Sequence, residues 1–274
     1  MRLHPDAVLF AGEKPFPALP AVDHYAGAHK LMLKALKLQQ ELGPIFDITC
    51  DCEDGAHAGA EADHARMAAG VIMSEDNRFG RVGARIHDIT HPHWEQDVDI
   101  LVGLAGSRLA FLTIPKVRSA ADAARQIECI RSAEERHGVE REIPVHVLIE
   151  THGALREAWE IAALDRVESL DFGLMDFVSA HAGAIPAEGM GIEGQFTHPL
   201  VVRAKLEIAS ACHAHGKVPS HCVVTEFSDM VAMQAAASRA AREFGYTRMW
   251  SIHPAQIRPI LEAFGPTQDD IEVA

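Results

Sequence analysis

The chain has 274 residues, 48% of them hydrophobic, and a formal net charge of -14 at pH 7. This composition is enough to bury one large core, and no apolar run is long enough to predict a membrane-spanning helix. The excess of acidic residues disfavours binding to nucleic acid or to anionic membranes, which require basic patches. It is compatible with an anionic small molecule that a few local cations hold.

The N-terminus and the cysteines predict a cytoplasmic protein with reduced thiols. The first residues, 1–5, lack the apolar stretch and small-residue cleavage site of a secretory signal. The chain has 5 cysteines, an odd number at irregular intervals, and these do not describe a disulfide framework.

Short apolar runs alternate with amphipathic stretches along the whole chain. In chain order, the predicted strands are residues 7–10, 45–49, 82–86, 109–114, 145–149, 170–173, 218–222 and 249–252. The predicted helices are residues 28–42, 58–73, 93–105, 120–137, 153–163, 198–215 and 229–244. This alternation predicts a (β/α)8 TIM barrel that forms a single domain over residues 1–274. A doubly wound open sheet is the alternative fold.

Ionisable side chains stand at the carboxyl ends of most of these strands. In chain order they are Asp51, Glu53, Asp54, Arg85, His87, Lys116, Glu150, Asp176 and His253. Active sites of barrels lie at this end, whereas barrel interiors are ordinarily filled by branched apolar side chains. The set therefore indicates metal and anion binding.

Two of these acids are candidate metal ligands. Glu150 directly follows the apolar run 145–149, and Asp176 follows the run 169–175. Both carboxylates should face the same mouth of the barrel. Two carboxylates leave the remaining octahedral positions to water and substrate oxygens, which is typical of Mg²⁺. The alternative is that each acid only caps or begins a helix.

The neighbouring charges suit chemistry on a 2-oxo acid. Such an acid can chelate Mg²⁺ through its carboxylate and carbonyl, and the ion then polarises the carbonyl. Arg85 is expected to offer a planar fork to a carboxylate or a developing enolate oxygen. Glu53 and Asp54 are expected to hold the nearby cations or metal-bound water in place. Lys116 is a candidate substrate-binding residue, and its alternative is a structural ion pair with one of these acids. The set suits making or breaking a carbon–carbon bond next to a carbonyl.

Six segments carry a resemblance to a known family. They are Asp51-Cys52-Glu53-Asp54, Arg85-Ile86, Ile114-Pro115-Lys116-Val117, Leu148-Ile149-Glu150-Thr151, Phe172-Gly173-Leu174-Met175-Asp176 and Ser251-Ile252-His253-Pro254-Ala255-Gln256-Ile257. In this order they resemble the citrate lyase β-subunit and malyl-CoA lyase branch of the HpcH/HpaI aldolase superfamily, over most of the chain. The resemblance implies a (β/α)8 barrel that binds Mg²⁺ through Glu150 and Asp176. It also implies that Arg85 contacts the oxo acid and its enolate, with Glu53 and Asp54 around the metal waters.

The reaction that this resemblance implies is that of a carbon–carbon lyase. Such an enzyme cleaves or forms a 3-hydroxyacyl-CoA-type thioester, giving a 2-oxo acid and an acyl-CoA. The family also implies a homo-oligomer, either a trimer or a hexamer. Its partners are small molecules, without nucleic acid or membrane.

Three departures from the family pattern leave parts of this reaction open. His87 stands where the family usually has Asn, which puts the identity of the oxo acid in doubt. Residues 11–25 do not match the first loop that helps bind the thioester, so the use of CoA is open. The chain stops at Ala274, shortly after Asp269 and Asp270, which predicts a shortened C-terminal lid and leaves the general acid/base unassigned.

Two alternative functions follow from these departures. One is an HpcH-type class II aldolase that releases pyruvate from a free hydroxy-oxo acid, although those enzymes carry Glu-His where this chain has Glu53-Asp54. The other is a non-catalytic homologue that binds a metal and an oxo acid.

Overall fold

The protein is described by a computed structural model that covers residues 17–54, 59–226 and 228–266. Eight parallel strands pair in sequence order, and the last pairs with the first to close a barrel. The strands are β1 (Val22–Ala26), β2 (Asp47–Asp51), β3 (Val82–Arg85), β4 (Leu112–Ile114), β5 (Val145–Ile149), β6 (Val167–Phe172), β7 (Val218–His221) and β8 (Arg248–Ser251). Nearly every strand residue is buried, as expected for a parallel sheet that is covered on both faces.

Helices cover the outside of the barrel. They are α1 (His29–Leu42), α2 (Glu61–Met73), α3 (Trp94–Ala105), α4 (Ala120–His137), α5 (His152–Arg156), α6 (Ala158–Ala162), α7 (Leu174–Ser179), α8 (Gly194–Thr197), α9 (Pro199–Ala214), α10 (Met230–Arg242) and α11 (Ile257–Phe264). Two 3-10 turns comprise Ala187–Met190 and Pro254–Gln256. The predicted (β/α)8 barrel is confirmed. In the described part of the chain, no helix is both long enough and apolar enough to cross a membrane.

The local sequence explains where the long helices begin and end. The helix α4 begins after Ser119, whose side chain accepts a hydrogen bond from the backbone N–H of Asp122. It ends at Gly138, whose φ of 65° is a left-handed conformation that glycine adopts without strain. The helix α10 begins after Asp229, whose carboxylate accepts from two N–H groups of the first turn.

The first strand differs from the sequence prediction. The barrel begins at β1, most of which lies in the segment 11–25 that does not match the family's first loop, while the predicted strand 7–10 lies outside the described residues. The sequence of β1 is not an apolar run, because the polar residues Asp23 and His24 directly follow Val22. The other seven predicted strands overlap with observed strands, and 145–149 matches β5 at both ends.

One helical prediction needs correction, and one helix near the strand ends was not predicted. The predicted helix 153–163 is two short helices, α5 and α6, because Glu157 between them has φ -108° and ψ 24°. The sequence does not predict α7, which directly follows β6 and carries Asp176 in its first turn.

The interior of the barrel is polar rather than filled by branched apolar side chains. Arg248 on β8 lies 3.1 Å from Asp23 on β1 and 2.6 Å from Asp47 on β2. Its guanidinium also lies over the ring of Phe111, which stacks on His146 of β5. Because these contacts cross from β8 to β5, the side chains point to the barrel axis. The apolar core therefore lies mainly between the sheet and the surrounding helices.

Candidate active site at the carboxyl ends of the strands

Arg85 lies at the centre of a carboxylate cluster at the ends of β2 and β3. Its Nε donates to Asp51 Oδ1 at 2.8 Å and its Nη2 donates to Asp51 Oδ2 at 2.6 Å. Nη2 also donates to Asp54 Oδ2 at 2.8 Å, and Nη1 lies 2.8 Å from Glu53 Oε2. Asp51 and Arg85 are register partners on neighbouring strands, so the pair spans the seam between β2 and β3.

The planar fork of Arg85 is consequently occupied by Asp51. The sequence predicts that this fork is offered to a substrate, but Nε and Nη2 already donate to Asp51 and Asp54. Only the N–H groups of Nη1 remain, next to Glu53. Nη1 can therefore donate a hydrogen bond to a substrate oxygen. Bidentate binding of a substrate carboxylate by Nε and Nη2 would require Asp51 to move.

Lys116 connects the Arg85 cluster to the two candidate metal ligands. Its Nζ donates to Glu53 Oε1 at 2.7 Å and lies 3.9 Å from Asp176 Oδ2. Its backbone N–H donates to Glu150 Oε1 at 2.7 Å. Lys116 has a φ of 48°, an uncommon conformation for a residue other than glycine. Burial acts to lower the pKa of Lys116, but the hydrogen bond and charge of Glu53 outweigh it and raise the pKa. Lys116 is therefore a cation rather than a base.

Glu150 is almost completely buried at the end of β5. The neighbouring strand end supplies Gly173, and a Cβ built on this glycine would lie 2.2 Å from Glu150 Oε2. Any larger residue at position 173 would displace the carboxylate. Gly173 is a site residue that the sequence analysis did not single out, although its place between β6 and Asp176 was visible in the sequence.

Asp176 lies in the first turn of α7 rather than directly at the end of β6. Its side chain is 46% exposed, whereas that of Glu150 is buried. The two acids line the same two cavities. The structure therefore brings Glu150 and Asp176 to one place, with one carboxylate inside the barrel mouth and one at its surface.

Negative charge dominates this part of the molecule. The cluster has five carboxylates, Asp51, Glu53, Asp54, Glu150 and Asp176, against the two cations Arg85 and Lys116. Burial, followed by the charges of Asp176 and Glu53, raises the pKa of Glu150 to about 8. Burial also raises the pKa of Glu53. A hard cation with oxygen ligands would relieve this excess, so the donor set fits Mg²⁺.

The two cavities that share Glu150 and Asp176 differ in character. One has a volume of about 210 Å³ and is largely apolar. Besides the acids and Arg85, its walls include Tyr25, Phe172, Leu174, Met175, Cys222, Val223, Trp250 and Ile252. The other, of about 390 Å³, has polar and apolar walls in similar measure, and its lining also includes Asp88, Thr90, Lys116, Arg118, Thr151, Ser179 and Ala180. A further cavity of about 320 Å³, which Pro17 and Lys217 help to line, lies away from these residues.

The aromatic wall of the apolar cavity was missed by sequence reasoning. Tyr25 stacks on Trp250 with ring centroids 4.3 Å apart, and the Arg85 guanidinium lies 5.5 Å from the Tyr25 centroid. Tyr25 belongs to β1, the strand that was predicted elsewhere. The signal available was its position two residues after Asp23, on the same face of a strand.

His87 does not stand in either cavity. Its backbone N–H and its Nδ1 both contact Asp97 Oδ2, at 3.0 Å and 2.5 Å, and its ring stacks on His91. The sequence suggests that His87 changes a hydrogen-bonding partner in the pocket, but the structure turns its ring toward α3 instead. The identity of the oxo acid therefore does not follow from this residue.

Comparison with known proteins assigns the chain to a family. A family model described as HpcH/HpaI aldolase/citrate lyase matches residues 27–254. The chain belongs to this family. The resemblance seen in the six sequence segments is thus confirmed.

Three relatives illustrate the branch. The L-malyl-CoA/beta-methylmalyl-CoA lyase of Cereibacter sphaeroides is 29% identical over 243 residues, which cover 83% of this chain and 74% of the relative. A citrate lyase from Burkholderia xenovorans LB400, known from a crystal structure, is 56% identical in sequence to this chain. The two structures superpose with a TM-score of 0.91, and the match covers 94% of this chain and 81% of that one. The citrate lyase beta subunit of Mycobacterium tuberculosis, complexed with oxaloacetate and magnesium, shares the fold at 21% identity. Its TM-score is 0.70, and the match covers 91% of this chain and 98% of that one. The prediction of a carbon–carbon lyase agrees with the names of these relatives.

The raised pKa of Glu150 predicts how metal binding depends on pH. Below about pH 8 the ion-free protein holds a proton on Glu150, and Mg²⁺ must displace it. The Mg²⁺ affinity should rise by about tenfold per pH unit up to this point and level off above it. Isothermal titration calorimetry with Mg²⁺ across this range, in buffers of different ionisation enthalpy, measures both the affinity and the released proton. An affinity independent of pH below 8, with no proton release, would contradict this account of Glu150.

Proposed function

We propose that the protein is a Mg²⁺-dependent carbon–carbon lyase that cleaves or forms a 3-hydroxyacyl-CoA-type thioester, with a 2-oxo acid and an acyl-CoA as its partners. The observation that carries the proposal is the meeting of buried Glu150 with Asp176 beside Arg85, at the carboxyl end of the barrel. The malyl-CoA lyase and citrate lyase names of the relatives support the same chemistry. We also infer a homo-oligomer, a trimer or a hexamer, from the family resemblance.

The proposed metal ligands are Glu150 and Asp176. Mg²⁺ bound there supplies a Lewis acid for the carbonyl of a 2-oxo acid. The N–H of Lys116 and the close approach of Gly173 fix the orientation of the Glu150 carboxylate. Lys116 also limits the repulsion between the acids, since its ammonium lies near both Glu53 and Asp176.

Arg85 is the proposed group that stabilises negative charge on an enolate oxygen. Its guanidinium is buried and is held by three carboxylates, so it does not reorganise as charge develops. Nη1 is the nitrogen with N–H groups to offer to a substrate oxygen. The aromatic wall formed by Tyr25 and Trp250 lowers the local dielectric, which strengthens this interaction.

One contact favours the lyase over the HpcH-type aldolase. Those aldolases carry His at the position of Asp54, and here Asp54 accepts a hydrogen bond from Arg85 at 2.8 Å. Asp54 thus holds the guanidinium as a negatively charged acceptor, which a His, neutral or protonated, cannot be. The non-catalytic alternative, a protein that binds a metal and an oxo acid without turnover, would use the same metal ligands.

Replacing either proposed ligand tests the metal site and the function together. Glu150→Ala and Asp176→Ala should each abolish Mg²⁺ binding by calorimetry and turnover of acyl-CoA thioesters with glyoxylate, pyruvate or oxaloacetate. Glu160→Ala, which removes an exposed acid on α6, is the matched control and should leave both unchanged. Unchanged Mg²⁺ affinity in both ligand variants would refute the assignment. Wild-type protein that binds Mg²⁺ but turns over none of these substrates would favour the non-catalytic alternative.

Arg85→Lys separates catalysis from metal binding. A lysine retains the charge but cannot satisfy Asp51, Glu53 and Asp54 at once while presenting an N–H to substrate. We expect turnover to fall by about 100-fold or more, with Mg²⁺ affinity within a few-fold of wild type. Steady-state kinetics beside calorimetry measures the two effects. Arg85→Lys protein with normal kcat would exclude Arg85 from the proposed role.

A further inference from the structure

Three side chains in the barrel interior form a second cluster of potential ligands, separate from Glu150 and Asp176. Asp23 on β1, His146 on β5 and Asp171 on β6 each offer a ligand atom, and these atoms lie within 4.8 Å of one another. All three residues have 0% exposure. We refer to Asp23, His146 and Asp171 as the barrel-interior triad.

Each member of the triad is oriented by a neighbour and leaves one atom without a hydrogen bond. Thr49 Oγ1 donates to Asp23 Oδ1 at 2.7 Å, and Ser169 Oγ hydrogen bonds with Asp171 Oδ1 at 2.6 Å. The second oxygen of each carboxylate has no hydrogen-bond partner in the described residues, even though Asp23 Oδ2 lies 3.1 Å from Arg248. Buried polar atoms are ordinarily paired, and because Arg248 offsets the charge at Asp23 Oδ2, the oxygen left without any counterpart in the described part of the structure is Asp171 Oδ2.

His146 has the arrangement of a metal-ligating histidine. Its Nε2 lies 3.2 Å from Glu168 Oε2, and a carboxylate can only accept, so Nε2 carries the proton. Nδ1 then carries a lone pair, and it is buried without a hydrogen-bond partner in the part of the chain that the structure describes. Metal-bound histidines almost always donate their other N–H to a carboxylate or carbonyl in this way. The Glu168 contact is an observation independent of the triad itself.

The charges of the interior also call for a cation. Asp23, Asp47 and Asp171 are completely or almost completely buried, and of these Asp23 and Asp47 share Arg248. Within the described ranges, no Lys or Arg lies within ion-pair distance of Asp171. Arg81 also lies 3.3 Å from Asp47, so with a neutral His146 the negative charge without a cationic partner is that of Asp171, which a bound cation would offset.

We propose that the barrel-interior triad binds one structural divalent transition-metal ion, with Zn²⁺ as the fitting type. Imidazole nitrogen beside two carboxylates favours Zn²⁺ over Mg²⁺, which prefers an all-oxygen set with several waters. Two hydroxyls on the neighbouring strands, Thr113 Oγ1 and Ser220 Oγ, are also buried without a hydrogen-bond partner among the described residues. Thr113 is the register neighbour of His146, and Ser220 that of Asp171. The site is independent of the proposed lyase chemistry.

The closed position of the triad defines the experiment. Since all three residues are inaccessible, the ion must enter as the barrel folds. The Asp176→Ala chain, which lacks one proposed Mg²⁺ ligand, is unfolded in urea and refolded with Zn²⁺ or with EDTA, then dialysed against EDTA. Metal content by mass spectrometry should show one retained Zn²⁺ per chain after refolding with Zn²⁺, together with a higher Tm than after refolding with EDTA.

Two variants show whether Zn²⁺ is bound by the barrel-interior triad or elsewhere in the chain. Glu168→Gln should fold and hold Zn²⁺ about 10- to 100-fold more weakly, because it loses the carboxylate behind His146. His146→Gln should retain none, while Glu160→Gln, an exposed control, should match the parent. No retained Zn²⁺ in the parent chain would overturn the proposal and leave the interior to water. Retention in folded His146→Gln equal to the parent, or unchanged affinity in Glu168→Gln, would overturn it as well.

Discussion

The repulsion among buried carboxylates at the barrel mouth is the constraint on which the candidate site depends. Five acids meet two cations there, and Arg85 alone contacts three of the acids. Removal of Glu150 from water makes its negative charge costly unless a cation is nearby. Burial, followed by the charges of Asp176 and Glu53, raises the pKa of Glu150, and the same surroundings would favour the proposed divalent ion. The proposed ion would therefore compete with a proton on Glu150.

The architecture explains how the protein tolerates this charge. Backbone and glycine positions do much of the positioning: the Lys116 N–H fixes one oxygen of Glu150, and Gly173 leaves room for the other. These elements belong to strand ends and to the segments directly after them, which the barrel holds rigidly. Asp176 is the exception, since it lies on the short helix α7 and is partly exposed. Of the two proposed ligands, it is the one with room to move if an ion binds.

Much of this organisation was predictable from the sequence, and the failures have physical causes. The apolar run 145–149 identified β5 and placed Glu150 at its end, because a strand buried on both faces is apolar throughout. The same rule missed β1, whose inward side chains are Asp23 and Tyr25. Polar side chains that point into a barrel interrupt the apolar pattern by which a buried strand is recognised. Because β1 was not predicted, Tyr25 and the aromatic wall of the cavity were not predicted either. The occupation of the Arg85 fork by Asp51 was also beyond sequence reasoning, since it depends on the register of β2 and β3.

The most direct test of the central claim is crystallographic. Crystals soaked with Mn²⁺, a substitute for Mg²⁺ that scatters anomalously, and with a 2-oxo acid should show an anomalous peak coordinated by both Glu150 and Asp176. The oxo acid should chelate this ion, with one of its oxygens near Arg85 Nη1. A peak held by neither carboxylate, or side chains of Glu150 and Asp176 that bind no common ion, would contradict the account.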